Sequence, residues 1–207
     1  ITPISDDGVD GVAFELPVTV ANAAPSIASL AAAGAEENAP VVLTGAVSDP
    51  GVLDQIDLLV DWGDGTSQTL SVTAGAAFSL THVYADDGVY AVSVTPTDDG
   101  SAVGDAATTS AVVTNVAPTV QSAVIVAAAE GAATQLSGVL GDAGPLDALR
   151  VEIDWGDGSP VEVVEAVDRS FAASRIYADD GVFVVTVTPL DDDDARGAPT
   201  ALEAVIA

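Results

Sequence analysis

Val60-Asp-Trp-Gly-Asp-Gly-Thr66 recurs as Ile153-Asp-Trp-Gly-Asp-Gly-Ser159, and Trp155 stands 93 positions after Trp62. Other landmarks keep that offset. Tyr84-Ala-Asp-Asp-Gly88 returns as Tyr177-Ala-Asp-Asp-Gly181, Phe78 as Phe171 and Asp49 as Asp142. The shift also matches Asn22-Ala-Ala-Pro25 to Asn115-Val-Ala-Pro118, and Ile1-Thr-Pro3 to Val94-Thr-Pro96. A fixed period of this length marks structural units set in series. It divides the chain into residues 1–24, the C-terminal strand region of a preceding repeat, and two units, 25–117 and 118–207.

The local pattern inside each unit is extended. Val151, Ile153 and Trp155 alternate with Glu152 and Asp154, so the apolar set shares one face, and Leu58, Val60 and Trp62 are its match in the first copy. Tyr90, Val92 and Val94, matched by Phe183, Val185 and Val187, form a second inward row. Gly65 and Gly158 follow Asp64 and Asp157 directly after these strands, a hairpin signal, because glycine accepts the positive φ that primed turns demand. No long segment has helical periodicity. Short strands punctuated by Asp, Gly and Pro predict an all-β chain of tandem immunoglobulin-like sandwiches, about seven strands each.

Composition narrows the function classes. Thirty-two Asp and Glu face four Arg and no Lys, a formal charge of −28, which argues against nucleic acid and anionic membrane surfaces as partners. Cations are the natural counterparts, either as screening salt or as Ca²⁺ held at particular clusters. Without cysteine there is no disulfide, thiolate metal site or Cys nucleophile. The uncharged stretch from Val18 to Ala35 is interrupted by Asn22, Pro25, Ser26 and Ser29 and reads as strand, linker and strand rather than as a membrane span. Aromatic residues make up only 4% of the chain, which suits several small cores.

Trp-Gly-Asp-Gly after an alternating strand, then Tyr-Ala-Asp-Asp-Gly-Val with Tyr90 or Phe183 next, then a strand ending in Asp-Asp, resembles the polycystic kidney disease (PKD) family. The resemblance covers both main repeats, and the first 25 residues look like the end of a third. It implies an immunoglobulin-like sandwich found in surface proteins and in non-catalytic parts of secreted enzymes, with calcium bound in some members near the equivalent loops. It implies no activity. One departure stands out: His82, where such modules often carry His, becomes Arg175 in the next repeat.

Three acidic groups recur and are the candidate cation ligands. Asp49 and Asp54 are matched by Asp142 and Asp147, and Asp98 and Asp99 by Asp191 and Asp192. Hard cations such as Ca²⁺ take about six to eight oxygens, which adjacent loops at one sandwich end could supply. The competing reading is that these aspartates form Asx-turns and a solvated surface, above all in the run Asp191 to Asp194. No catalytic residue is expected. Asp61, Asp64, Asp154 and Asp157 sit in tight hairpins rather than across a cleft, and the lone His82 is replaced in the second copy. Trp62 and Trp155 are expected as core anchors, and Tyr84 and Tyr177 as tyrosine corners.

The expected function is a non-enzymatic structural or adhesive array in a secreted, cell-surface, surface-layer or filament protein, stabilised by calcium or salt. Its partners would be neighbouring modules, copies of the same protein, and cations. The alternative makes these modules spacers or substrate guides of a secreted hydrolase. A further possibility is that the N-terminal strand completes a neighbouring chain's sandwich.

Overall fold

The computed structural model describes residues 15–207, so the strand expected at Ile1-Thr-Pro3 lies outside the described residues. Residues 15–25 form no strand. Beyond them come β1 (Ser26–Ala32), β2 (Ala35–Glu36), β3 (Pro40–Ser48), β4 (Gln55–Asp61), β5 (Ser67–Thr73), β6 (Ala77–Val83), β7 (Gly88–Asp98) and β8 (Ala107–Thr114). The chain continues with β9 (Thr119–Val126), β10 (Ala133–Gly141), β11 (Arg150–Asp154), β12 (Glu162–Glu165), β13 (Ser170–Ile176), β14 (Gly181–Leu190) and β15 (Thr200–Ile206). No helix occurs among the described residues, and none is therefore long and apolar enough to cross a membrane.

The strands build β-sandwiches, as the alternation requires. Sheet β1-β3-β6 packs on β2-β8-β7-β4-β5, and sheet β9-β10-β13 on β12-β11-β14-β15. Each pair of sheets encloses its own core. Ile56, Leu58 and Val60 of β4 are fully buried against Val41 and Leu43 of β3, and Val151 and Ile153 of β11 are fully buried against Leu136 and Leu140 of β10. Trp62 and Trp155 are 1% and 0% exposed, as core anchors are. Tyr84 and Tyr177 are equally buried, and each hydroxyl donates to a tryptophan carbonyl, Trp62 or Trp155, at 2.9 Å.

The Trp hairpin differs from the expected two-residue primed turn at Asp64-Gly65. Strand β4 ends at Asp61 and β5 begins at Ser67, with the Trp62 N–H donating to the Thr66 carbonyl at 3.1 Å. Positive φ falls on Gly63 (80°) and Gly65 (88°), because Asp61 and Asp64 each accept the N–H two residues ahead and shape a longer loop. A Cβ on Gly63 would stand 2.6 Å from the Ala91 carbonyl, and one on Gly156 would stand 2.4 Å from that of Val184. At Gly65 and Gly158 the surroundings are open, so only the backbone conformation demands glycine. In the second sandwich Pro160 has no N–H to donate, and β12 starts later, at Glu162.

This geometry orders two substitutions. Gly65→Ala should lower unfolding free energy by about 1–2 kcal/mol for its left-handed backbone, and Gly63→Ala by more, since the loop must also move off β7. Urea unfolding of the single variants reads the order directly, and a milder Gly63→Ala would contradict the packing described.

Candidate functional site

Two features of the Trp loops explain the aspartates that flank them. Asp64 Oδ1 accepts the Thr66 N–H at 2.9 Å, and its Oδ2 lies 2.6 Å from His82 Nε2. In the second sandwich Asp157 accepts the Ser159 N–H at 3.0 Å and pairs with Arg175 at 2.6 Å. The His-to-Arg change thus keeps one role, a cation or N–H donor facing the same turn carboxylate. Burial pushes the Asp64 carboxyl up, but hydrogen bonds from Thr66 and His82 outweigh it and hold the group below the usual range. The His82 ring also stacks on Trp62 with centroids 4.7 Å apart. His82→Arg should therefore be tolerated, whereas Asp64→Ala should leave the Thr66 N–H and hydroxyl without their acceptor and lower Tm. Thermal melts of the two variants test this, and a larger loss for His82→Arg would refute the shared role.

The recurrent acidic residues gather at one pole of each sandwich. Asp49 follows β3, Asp54 precedes β4 and Asp98 ends β7, and one carboxylate oxygen from each lies within 4.8 Å of the others. Asp142, Asp147 and Asp191 meet in the same way on the second sandwich. Part of each set does the turn work anticipated: Asp49 Oδ1 accepts the Gly51 N–H at 2.6 Å, and Asp142 Oδ1 that of Gly144 at 3.2 Å. The other oxygen, Oδ2 of Asp49 and of Asp142, is buried without a hydrogen-bond partner.

Asp98 and Asp191 are 5% and 0% exposed and tie each pole to the chain entering it. Asp98 accepts from the Ala102 N–H at 2.8 Å and from Asn22 Nδ2 at 2.8 Å, while Asp191 accepts from Ala195 at 2.8 Å and from Asn115 at 3.0 Å. The asparagine of each Asn-x-Ala-Pro joint is thereby fixed. Asp99 and Asp192 point outward and are exposed, with Asp192 accepting the Ala148 N–H at 3.0 Å. Arg169 braces the second pole by donating to the carbonyls of Asp142 and Gly144, each at 3.0 Å.

Two members of the second cluster were not anticipated. Glu37 and Asp86 of the first sandwich bring carboxylate oxygens to Asp147 of the second. Both obey the 93-residue offset, as Glu130 and Asp179, but no repeat within a sequence reveals which unit end packs on which loop. Burial raises the Asp147 carboxyl, helped by the charges of Glu37, Asp142, Asp86 and Asp192, to about 7. Glu37 and Asp142 are raised as well, first by burial, with partial relief from the N–H groups of Val116 and of Gly144. Asp54 is raised by partial desolvation and by the charges of Asp99, Asp49 and Asp98.

Carboxylates crowded with few donors are chemically a hard-oxygen set, suited to Ca²⁺ or Mg²⁺ and lacking the nitrogen and sulfur ligands that softer metals favour. They also set a pH dependence. A carboxyl whose pKa is higher folded than unfolded keeps its proton preferentially in the fold, so its contribution is present below about pH 4 and lost as pH rises toward 7. In chelator, Tm should fall across that window, and a Tm that climbs steadily from pH 5 to 7.5 would show the pole to be uncrowded.

Residues 22–113 match the family model of the PKD domain, a span that takes in the first sandwich and its Asn22 joint. The PKD domain of an M14-like peptidase from Thermoplasmatales archaeon SCGC AB-540-F20 aligns over 45% of this chain and 98% of its own, at 21% identity and a TM-score of 0.42. A two-domain fibronectin type-III segment of chicken tenascin covers 86% of this chain and 98% of its own, with 13% identity and a TM-score of 0.50. Invasin, a bacterial integrin-binding protein, covers 86% of this chain and 39% of its own, with 20% identity and a TM-score of 0.55. At such identities the last two likenesses bear on the fold, and they place it among immunoglobulin-like and fibronectin-like sandwiches. No curated protein sequence matches the chain significantly.

Proposed function

We propose that the chain is a non-catalytic structural or adhesive segment of a secreted or cell-surface protein, built of tandem PKD-type modules whose acidic poles bind Ca²⁺. The match at residues 22–113 supports the module type for the first sandwich, and the strand order repeated at a 93-residue offset supports extending it to the second. The buried Oδ2 atoms of Asp49 and Asp142 carry the cation reading, since an unpaired buried carboxylate oxygen costs free energy that a bound cation would offset. Because Asp98 and Asp191 hold Asn22 and Asn115, an ion there would stiffen the entry to each module.

The test is thermal unfolding with Ca²⁺, with chelator plus matched Mg²⁺, and across NaCl concentration. Calcium at 100 times its dissociation constant should add about 2.7 kcal/mol per site, seen as a Tm rise that Asp49→Asn and Asp142→Asn diminish. A response to NaCl alone would replace bound calcium with general screening, and indifference to both would end the cation reading.

A further inference from the structure

The joint between the sandwiches is four residues, Asn115–Pro118, and Glu37 is fastened both to it and to the end of β8 that leads into it. The Glu37 N–H donates to the Thr114 carbonyl at 3.0 Å, and its Oε1 accepts the Val116 N–H at 2.8 Å. Its other oxygen, Oε2, is buried and has no hydrogen-bond partner, in a residue only 2% exposed. Both oxygens of Asp147, across the joint, are likewise buried and unpartnered. The two carboxylates converge over Gly144: a Cβ there would meet Glu37 Oε2 at 2.4 Å and the Asp147 oxygens at 2.4 and 2.5 Å. Asp86 brings a third carboxylate within 4.8 Å, and Asp193 approaches Asp86 and Asp87 from the second sandwich.

The equivalent residues elsewhere show that this meeting belongs to the joint. Glu130, Asp179 and Asp180, 93 positions after Glu37, Asp86 and Asp87, also cluster, but all three are exposed. At the first sandwich's own pole, the atoms nearest a Cβ on Gly51 all belong to Asp54, with no glutamate among them. The buried arrangement is thus made from two halves, the far end of one sandwich and the entry pole of the next. Three like-charged groups in one desolvated place need a counter-charge, and among the described residues no Arg or His side chain makes a hydrogen bond or ion pair with Glu37, Asp86 or Asp147.

We propose that Glu37, Asp86 and Asp147 together hold a hard divalent cation of the Ca²⁺ class across the joint, and that this ion fixes the second sandwich on the first. The proposal deepens the calcium reading above and shares with it the class of ion, but it adds a site assembled from both sandwiches. Any succession of such modules would repeat it at each joint, because the half-sites recur in each unit.

The chain has no cysteine, so Ser79→Cys and Ala172→Cys, both at exposed strand positions, accept spin labels at two unique points. Electron–electron distance measurements on the labelled full chain, in chelator and in saturating CaCl₂, are compared with the same chain carrying Glu37→Gln. Glutamine keeps an acceptor for Val116 but loses the charge. The expected result is a distance distribution narrowed by Ca²⁺ in the parent and not in Glu37→Gln, while the variant still gains Tm from Ca²⁺ through the Asp49, Asp54 and Asp98 pole. Equal narrowing in Glu37→Gln overturns the joint site. A parent whose Tm rises with Ca²⁺ but whose distances do not change overturns it too and leaves the pole reading standing. If neither responds, both fall. Should Glu37→Gln fail to fold by circular dichroism, Asp86→Asn carries the same comparison.

Discussion

The Tyr84 hydroxyl donates to the Trp62 carbonyl inside the core, and the main chain around that tyrosine decides where the acidic end of the sandwich points. The Tyr84 carbonyl accepts the Asn38 N–H at 2.8 Å, which seats Glu37 beside the loop carrying Asp86 and Asp87. Tyr90 stacks on Tyr84 at 4.0 Å and donates to the Asp86 carbonyl at 2.9 Å, so the loop is held from both sides. A buried aromatic contact is thereby converted into the placement of surface carboxylates. The second copy keeps the core half of this device, with Tyr177 on the Trp155 carbonyl and the Gly131 N–H on the Tyr177 carbonyl, while Phe183 stacks without a hydroxyl to give.

A net charge of −28 opposes compact folding, yet the fold disposes of its carboxylates in distinct ways. Those of the Trp hairpins accept turn N–H groups and meet His82 or Arg175. Those of the outer strand faces reach solvent, and a few meet the remaining arginines, as Glu152 does with Arg196. The residue of the charge is concentrated at the poles, where Asp98 and Asp191 are buried and the neighbouring aspartates are left short of donors. Repulsion is therefore concentrated at the poles, and on the second sandwich that pole faces the joint.

Much of this was legible in the residues because it follows from periodicity. The period of two placed Val60, Trp62, Ile153 and Trp155 inward, and the 93-residue offset aligned strands that the structure then shows in the same order. The grouping of Asp49 with Asp54 and Asp98 was visible too, because short loops at one end of a sandwich must converge. The turn geometry was less legible. Asp64-Gly65 resembles a two-residue hairpin locally, whereas the approach of the Ala91 carbonyl to Gly63, a contact between distant strands, selects the longer loop. Asp99 and Asp192 stand in turns just past β7 and β14 and are exposed, a difference from Asp98 and Asp191 that adjacency in the sequence does not reveal. Glu37 was missed for a different reason: its partner belongs to another unit, and a repeat describes each unit only to itself.

The two cores share no residue, so folding one sandwich does little to orient the other. Polar ties reach across the joint: the Glu37 bond to Val116, the Asn115 bond to Asp191, and the carboxylates facing one another at Asp147. Interactions of this kind respond to ions and pH far more steeply than apolar contact does. It follows that the stability of each module and the angle between modules rest on different contacts. The hydrophobic cores supply most of each module's stability, to which the pole carboxylates add a pH-dependent part, whereas these polar ties are what the joint has to orient one module on the other. With the proposed ions bound, ionic composition would act first on the joint, while the apolar core of each sandwich keeps that sandwich folded.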